Sequence, residues 1–481
     1  MGAGISSTLS MGLTYCFCQS ASSLCNACFG STDAGTTGRK RSVLLLTLAV
    51  ASALLFQYYV APSILHHTGW WNVYKSIPGV GKRMYEAWMD GCDRYGGENS
   101  AGYAQCVGNN GVYRPTFVSA LFFAISAIGA KFRPALNREA WPAKYCIYFF
   151  LLLASVFVPN HPLFDGFFLI SSRIGAMFFI VLQQIILIDV AYNWNESWVD
   201  RANECDREEW GSGRAWLRAI VATCVAMYAA ALAGIGFLFH YYKGCPENNA
   251  VVSLTLIGIV VITVVQLTGT EGSLLTSSVI SAYAVYLAFS IVSKNPNGAC
   301  NPNLGSNDAW GIAAGLFLTA VSLAWTGFSW TAEERLSADG AQATKTVAQN
   351  VPAAARPGGD RLDLDVPFLE PEDAPTSGLV VETDGEPAER AAAAPIPAGG
   401  KDLWKLNVVL VFISCWIAMM LTGWGTIRAV AEPEGDGERT AANPTVGRYN
   451  MAMIGVSQWT CLMLYGWTLV APRLFPDRDF S

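Results

Sequence analysis

The sequence predicts an all-α protein that crosses a membrane about ten times. Charged residues make up only 14% of the 481 residues and hydrophobic residues 52%, whereas ordinary soluble domains carry roughly 25% charged residues. Apolar runs recur at about the length of 20 helical residues that crosses roughly 30 Å of hydrocarbon. One of these runs is too long for a single perpendicular crossing, and it carries polar residues.

Ten apolar runs are spaced along the chain, and each predicts one membrane-crossing helix. The third run is short, and only Thr-Gly-Thr-Glu-Gly separates the sixth from the seventh. The runs divide the chain into a Cys-rich N-terminal segment (1–42), eight helices (43–330), an acidic loop (331–402), and two helices with a short tail (403–481). The ten runs are 43–61, 113–130, 142–158, 163–192, 214–240, 249–268, 273–293, 309–330, 403–430 and 449–472.

Basic residues that flank the runs predict which side of the membrane each connection faces. Arg39, Lys40 and Arg41 abut the first run, so the positive-inside rule places the N-terminus in the cytosol. With ten crossings, the C-terminus and the basic connections at 131–144 and 193–218 face the cytosol as well. Basic residues in the 62–112 loop, which is assigned outside, argue against this orientation. We expect an integral protein of the plasma membrane, of internal membranes, or of both.

Residues 331–402 form a low-complexity segment that is expected to be disordered and cytosolic. The segment holds 14 acidic and 6 basic residues, for a net charge of −8, and eight prolines. Such a composition cannot bury enough apolar surface to offset the entropy of ordering. The expected role is a solvated tether, and the alternative is a regulated docking segment. The rest of the chain carries +2 and shows no basic patch or stripe that would predict nucleic-acid binding.

Four cysteines fall in connections that are assigned outside, where disulfides can form. Cys92 and Cys106 lie in the first outside loop, and Cys245 and Cys300 lie in two others. Four cysteines allow three pairings. We favour Cys92–Cys106 within one loop and Cys245–Cys300 between two neighbouring connections.

Four more cysteines, Cys16, Cys18, Cys25 and Cys28, precede the basic residues of the first run. Four thiolates can bind zinc tetrahedrally, but the six-residue spacer from Gln19 to Leu24 is tight for two pairs of ligands. Juxtamembrane cysteines are typical acceptors of thioacylation, and the opening Met-Gly-Ala-Gly-Ile-Ser matches the myristoylation pattern at Gly2. We therefore expect lipidation of Gly2 and of some of these cysteines, with unmodified thiols as the alternative.

Sequence motifs for catalysis were not found. The four histidines include no His-x-x-x-His pair of the kind a membrane di-iron site needs. Gly79-Val80-Gly81-Lys82 lacks the preceding glycine and the following Ser or Thr of a phosphate-binding loop, and no Gly-x-Ser-x-Gly nucleophile motif occurs. We expect no enzyme, no cofactor and no metal site.

The fourth apolar run is longer than one crossing requires. From Leu163 to Tyr192 it would form about 45 Å of helix, against roughly 30 Å of hydrocarbon, so it must tilt, protrude or break. Arg173 lies inside this run, where a charge costs at least about 2.5–3.5 kcal/mol on insertion scales. This cost predicts a partner or a wet cavity for Arg173; the alternative is a side chain that reaches the outer interface.

Other polar residues predict a cluster in the cytosolic half of the membrane. Asp189 lies near the inner end of the fourth run, with Lys144 and Arg218 as candidate counter-ions. Glu271, between the sixth and seventh runs, lies at a similar depth. The full predicted polar site comprises Arg173, Gln183, Gln184, Asp189, Lys144 and Glu271.

Several stretches resemble signatures of the serine incorporator family. Residues 188–196 (IDVAYNWNE) are similar to its IDFAHxWNE signature, and residues 277–302 follow its pattern from SSVI to CNP. The tail at 464–472 (LYGWTLVAP), which closes with DRDF, also resembles the family, as do the Cys-rich start, Trp141-x2-Lys144 and the acidic loop. One departure is Lys294-Asn295-Pro296, where the family usually has Asn-Glu-Pro, so no role of that glutamate is carried over.

The resemblance implies ten helices in two subdomains, divided by a long fourth helix that crosses diagonally. It also implies support for serine incorporation into phosphatidylserine and sphingolipids, ATP-independent phospholipid scrambling and, for some members, restriction of enveloped viruses. The implied partners are membrane phospholipids and sphingolipids, together with lipid-synthesising enzymes. Self-association into a homo-oligomer stays open.

Three hypotheses for function follow. In the first, a groove beside the fourth helix lets lipid headgroups cross while the tails stay in the bilayer, with Arg173 attracting phosphates and with Asp189 and Lys144 at the inner mouth. The second is a serine carrier that supplies lipid-synthesising enzymes. The third is a scaffold without transport activity that recruits partners through its acidic loop.

Overall fold

A computed structural model describes residues 36–66, 68, 76–77, 79–133, 140–269, 272–302, 304, 309–325, 403–427 and 442–475. The described residues form helices and turns, without a β-strand. Gly2, the four N-terminal cysteines, Glu271 and the acidic loop lie outside them, so the predictions for these residues stay predictions.

Twelve α-helices follow one another in the described part of the chain. A π-helical turn, Phe56–Val60, joins the first two, and another, Leu163–Phe168, leads into the sixth. The helices are α1 (Thr36–Leu55), α2 (Ala61–Leu65), α3 (Val80–Met89), α4 (Ala101–Phe132), α5 (Trp141–Ser155), α6 (Leu169–Glu208), α7 (Arg214–Tyr241), α8 (Pro246–Thr268), α9 (Leu274–Val292), α10 (Ala309–Trp325), α11 (Leu403–Leu421) and α12 (Pro444–Leu474).

Each of the ten apolar runs overlaps at least one of these helices, which confirms the all-helical prediction. Among the described residues, seven helical segments are long and apolar enough to cross a membrane. They include α1 joined to α2, α4, α6 with its π-helical turn, α7, α8, α9 and α11. Of the others, α5 has 15 residues, α10 is a shorter apolar helix, and α12 has 31 residues but is not one of the seven. The count of ten and the two subdomains stay predictions.

The helix that was predicted to be overlong is longer still. It runs without a break over 46 residues, from Leu163 to Glu208, or about 69 Å at 1.5 Å per residue. The predicted end at Tyr192 and the predicted connection over 193–218 are therefore wrong, because only residues 209–213 separate α6 from α7. Asp206 Oδ1 accepts hydrogen bonds from the backbone N–H of Gly211 (3.2 Å) and Gly213 (2.8 Å). Because this turn needs only five residues, the polar residues 193–208 remain part of α6.

The predicted outside loop over 62–112 is largely helical. It contains α3, a 3₁₀ turn at Cys92–Tyr95, and the first residues of α4, which begins at Ala101 rather than near residue 113. Ser100 caps α4, since its Oγ accepts a hydrogen bond from Tyr103 N at 3.1 Å. The prediction from the apolar run placed this start too late, because the first turns of α4 are buried against protein and carry polar side chains.

Arg114 of α4 is a fully buried cation that holds this region together. Its guanidinium donates to the backbone oxygens of Asn110 (2.6 Å), Ala87 (3.0 Å) and Val158 (3.2 Å). The same group lies 4.6 Å from the ring centroid of Trp88. One side chain thus ties α3 and the chain after α5 to α4.

Both predicted disulfides are present, Cys92–Cys106 and Cys245–Cys300. The first turns of α4 and the residues after α9 line one common cavity, so the two disulfides lie at the same end of the bundle, which we call the disulfide end. From this end α6 runs to the opposite end, packing against α11 and against α7, α9 and α12. Helix α4 packs against α1, α5 and α11. The long helix therefore contacts helices from both halves of the chain.

Candidate functional site

A cavity of about 460 Å³ opens at the disulfide end. Its walls come mainly from five parts of the chain: the π-helical turn after α1, the start of α4, the end of α9, the start of α10, and residues 420–427; Pro62 and Leu304 also line it. Ligand sites commonly have volumes of roughly 300–1,000 Å³. Polar side chains on its walls include Gln57, Gln105, Asn109, Ser290, Lys294 and Thr422.

Close packing of α4 on the π-helical turn brings the polar residues of the two elements together. Gly111 lies against Phe56, where an added Cβ would come within 3.1 Å of the Phe56 backbone. One turn earlier, an added Cβ at Gly108 would lie 3.7 Å from the Gln57 side chain. Glycine at position 111 allows this close approach, whereas a Cβ at Gly108 would make an ordinary contact. Gln57 and Asn109 both line the cavity.

Residues 421–427, which we call the wall turn, form the side of the cavity after α11. Gly423, Trp424 and Gly425 have φ angles of 58°, 62° and 71°, a left-handed conformation that a residue with a Cβ adopts only at a cost of about 1–2 kcal/mol. Burial of the Trp424 ring offsets this cost, because the ring is 1% exposed and packs edge-on against Trp416 at 6.3 Å.

Side chains from four helical elements donate hydrogen bonds to the backbone oxygens of the wall turn. Gln57 Nε2 donates to Leu421 O at 2.8 Å, and Gln105 Nε2 donates to Thr426 O at 3.0 Å. The Trp424 oxygen accepts from both Arg173 of α6 (3.1 Å) and Asn450 of α12 (3.0 Å). Irregular backbone among membrane helices needs such partners, because lipid supplies none.

Arg173, predicted to have a partner or a wet cavity, has a backbone partner. Its Nη2 donates to the Trp424 oxygen and would lie 3.3 Å from a Cβ added at Gly425, as would the Tyr113 hydroxyl. The side chain is half-buried behind the wall turn and is not among the residues that line the cavity. Its charge therefore supports the turn from the side that faces α6.

Gln183 and Gln184 lie farther along α6 and join it to α9 and α12. Tyr283 donates its hydroxyl hydrogen to Gln183 Oε1 at 3.2 Å, and Gln184 Nε2 donates to Cys461 O at 2.6 Å. Both glutamines are buried, at 0% and 2% exposure. Interhelical hydrogen bonds of this kind fix helix packing in membranes. Neither glutamine is among the residues that line the cavity.

Asp189 lies toward the opposite end and contacts α10. Its Oδ2 accepts a hydrogen bond from Trp325 Nε1 at 2.6 Å, and its Oδ1 accepts one from Asn193 Nδ2 at 3.1 Å. Within the described residues no ion pair joins Asp189 to Lys144 or to Arg218. The Lys144 ammonium instead lies 4.6 Å from the ring centroid of Trp141. Arg173, Gln183, Gln184 and Asp189 therefore follow one another along α6, while Lys144 lies on α5 and Glu271 lies outside the described residues.

The sequence did not single out most of the residues that build the cavity. Gln57 lies in the π-helical turn, and Gln105 and Asn109 lie in successive turns of α4. No local sequence pattern distinguishes these three amides from others in the chain. Lys294 and Asn295 did stand out, as a departure from a family motif. Asn295 is 1% exposed and donates to Asn248 Oδ1 at 2.9 Å, so an amide at this position holds the connection after α9.

Comparison with known proteins gives a consistent result. A family model described as "Serine incorporator (Serinc)" matches residues 14–478. "Serine incorporator 3" of Bos taurus is 29% identical over 310 residues, which is 60% of this chain and 60% of that protein. "Serine incorporator 2" of Homo sapiens is 26% identical over 328 residues, 63% of this chain and 66% of that protein. "Probable serine incorporator" of Nematostella vectensis is 26% identical over 482 residues, 95% and 94% of the two chains. The match thus spans about three fifths of the bovine relative and nearly all of the sea-anemone one.

Proposed function

Because this chain belongs to the serine incorporator family, we propose that it is a multi-pass membrane protein that moves phospholipids between leaflets without ATP. The observation that carries the proposal is the cavity at the disulfide end, with polar walls between apolar helices. A lipid headgroup has to leave water to cross a bilayer, and burying a polar group without a partner is costly. Polar walls lower that cost, and the tails remain in the surrounding lipid.

A row of polar groups continues from the cavity along α9. Lys294 and Ser290 line the cavity, and Tyr286 follows one helical turn farther along. Its hydroxyl lies 3.9 Å from Met420 Sδ and close to Gly315 of α10. Residues spaced by four lie on one face of a helix. This face therefore offers successive polar contacts to a headgroup that moves away from the cavity.

Helix α10 extends from the cavity to Asp189. Gly311 lines the cavity, Thr319 accepts a hydrogen bond from Trp416 Nε1 at 3.1 Å, and Trp325 donates to Asp189. In the proposed mechanism α10 and the α9 face border the path of the headgroup, and Asp189 stands at its far end. Arg173 holds the wall turn in place. With the disulfide end outside, the path leads from the outer leaflet to the cytosolic one.

A serine carrier is the second candidate, favoured by the family's name. Free serine carries an ammonium group as well as a carboxylate, so a serine site in a membrane protein needs an anionic or carbonyl-rich partner for the ammonium. The described residues that line the cavity include one lysine and no Asp or Glu. The described lining thus supplies no carboxylate for the ammonium of free serine. This second candidate includes the delivery of serine, or of lipid, to lipid-synthesising enzymes.

Reconstitution in liposomes tests the proposal. Vesicles would carry a fluorescent phospholipid in both leaflets, and a membrane-impermeant quencher would be added outside in the absence of ATP. Lipid movement predicts that the signal from both leaflets is lost, whereas protein-free vesicles lose only the outer half. Loss of the outer half alone with protein present would contradict the proposal. Uptake of labelled serine into the same vesicles would then favour the carrier.

A further inference from the structure

Basic residues gather at the end of the bundle opposite the disulfides. Helix α4 carries Cys106 near its start and Lys131 in its last turn, about 38 Å apart along the helix at 1.5 Å per residue. The starts of α1, α5 and α11 lie beside this end of α4, and with the disulfide end outside they face the cytosol. The basic residues of these four helix ends, which we call the basic surface, are Lys40, Arg41, Lys131, Arg133, Lys144 and Lys405.

Contacts between the helix ends hold the basic surface together. Tyr145 of α5 donates its hydroxyl hydrogen to Arg41 O of α1 at 3.0 Å. The Lys131 ammonium of α4 lies 5.6 Å from the ring centroid of Trp404 of α11. Helix α4 also packs against α1, α5 and α11, and α1 packs against α11. The six basic residues therefore lie on neighbouring helix ends.

The segments that carry the basic surface have a net positive charge even when their acids are counted. Residues 31–45, 127–148 and 399–410 together hold nine Lys or Arg and three Asp or Glu, for a net charge of +6. Pairing among these groups leaves this sum unchanged, so the charge does not require any single side chain to be without a partner. In addition, α1, α5 and α11 begin at this end, and a helix N-terminus carries partial positive charge.

The neighbouring region at the same end of the bundle has the opposite balance. Residues 193–218, the end of α6 and the start of α7, hold four Arg and six Asp or Glu, for a net charge of −2. Basic residues in both regions agree with a cytosolic location. The excess of positive charge, however, belongs to the ends of α1, α4, α5 and α11.

Apolar side chains that point away from the protein border the basic surface. On α4, Ile125, Ile128 and Phe132 are 59%, 61% and 79% exposed, and they lie within two turns of Lys131. Tyr145 and Trp404 are half-buried at the same level, as is typical of aromatic side chains at the depth of lipid headgroups. An anion bound here can therefore extend acyl tails along α4, which favours a lipid over a soluble anion.

We propose that the basic surface binds an anionic phospholipid of the cytosolic leaflet whose headgroup carries several phosphates, as in a phosphoinositide. Packed helices lie about 8–10 Å apart, so one phosphate reaches one or two of the six cations, whereas an inositol ring with several phosphates spans neighbouring helix ends. Clusters of about four to eight Lys or Arg beside membrane helices are typical of such recognition. Lys131 lies about 33 Å along α4 from Asn109 of the cavity, so this site is separate from the proposed path of moving lipid.

Thermal unfolding of the purified full chain in detergent micelles tests the inference. Water-soluble, short-chain phosphatidylinositol bisphosphate or phosphatidylserine would be titrated, and the unfolding midpoint recorded by intrinsic fluorescence. We expect the bisphosphate to raise the midpoint at about tenfold lower concentration than phosphatidylserine, because each Lys or Arg beside the headgroup contributes about fivefold. The double variant Lys131→Gln with Arg133→Gln should raise the concentration of bisphosphate that is needed by about 25-fold. Lys131→Arg with Arg133→Lys keeps both charges and should keep the response.

Arg214→Gln with Arg218→Gln is the matched control. Both arginines are exposed at the start of α7, at the same end of the bundle, and the variant loses the same two charges. Its response to the bisphosphate should equal that of the unaltered chain. An equal loss of response in the two double variants would overturn the assignment to the basic surface, because overall charge would then explain it.

Two further outcomes would overturn the inference. If the bisphosphate and phosphatidylserine raise the midpoint at the same concentration, the surface does not select a headgroup with several phosphates. Inositol trisphosphate, which carries the phosphates without the tails, is a further arm. If it acts at the same concentration as the bisphosphate, and Lys131→Gln with Arg133→Gln abolishes its effect, the surface binds a soluble anion rather than a lipid. Either result leaves the proposed function standing, because Lys131 and Arg133 do not line the cavity and the liposome assay measures lipid movement separately.

Discussion

Two glycines in the wall turn allow a direct test of how this turn is held. Gly423 and Gly425 both have left-handed φ angles, 58° and 71°, so alanine at either position costs about 1–2 kcal/mol of backbone strain. Their surroundings differ. A Cβ at Gly423 meets nothing within 4 Å, whereas a Cβ at Gly425 lies 3.1–3.3 Å from Leu169, Arg173 and Tyr113.

The expected loss of stability follows from this difference. Gly423→Ala should lower the free energy of unfolding by about 1–2 kcal/mol, the backbone cost alone. Gly425→Ala adds overpacking of about 1–3 kcal/mol, for a total of about 2–5 kcal/mol. The close contacts at Gly425 also push on Arg173, which donates to the Trp424 oxygen, so the extra strain acts on the cavity wall itself.

Unfolding in mixed detergent–SDS micelles, followed by intrinsic fluorescence, measures both free energies under one condition. The two variants serve as controls for each other, because each introduces one methyl group into the same left-handed turn. We expect the Gly425 variant to be the less stable by about 1–3 kcal/mol. Equal losses, or a larger loss at Gly423, would refute the close packing of α6 and α4 against the wall turn.

Three other changes give measurable outcomes. Arg114→Gln leaves backbone oxygens of two segments without their donor, so the free energy of unfolding should fall by about 3 kcal/mol; an unchanged value would contradict the buried cation. Asp189→Ala removes the acceptor of Trp325 Nε1, and hydrogen exchange near the end of α10 should rise about tenfold; unchanged exchange would show that this bond does not hold α10. Cys245→Ser should expose Cys300 to thiol labelling without reductant, and no new labelling would rule out the disulfide.

Apolar composition predicted the helices well, because each membrane-length run needs its backbone hydrogen bonds within the helix. The same signal failed where helices leave lipid. The polar residues 193–208 predict a connection, yet they continue α6, and Asp206 caps a tight turn at Gly211 and Gly213. The start of α4 was missed for a related reason, since its first turns bury polar side chains in protein rather than apolar ones in lipid.

The candidate site was only partly predictable. Arg173 could be singled out, because a charge in an apolar run needs a partner, but the partner is a backbone oxygen of Trp424, more than 250 residues later. No local pattern connects the two. The Cys245–Cys300 pair was predicted from its assigned side of the membrane. The cavity itself depends on Gln57 and other amides whose role appears only once the helices that carry them pack together.

The most direct test of lipid movement through the cavity is to fill it. Ala104 is exposed on α4 and lines the cavity, so Ala104→Trp places a large ring there without disturbing the core. Ala229 is exposed on α7 away from the cavity, and Ala229→Trp is the matched control. In the ATP-free liposome assay, the account predicts that Ala104→Trp slows lipid exchange about tenfold or more, a barrier higher by about 1.4 kcal/mol, while Ala229→Trp exchanges lipid as fast as the unaltered chain. Equal rates for the two variants would contradict the assignment of lipid movement to this cavity.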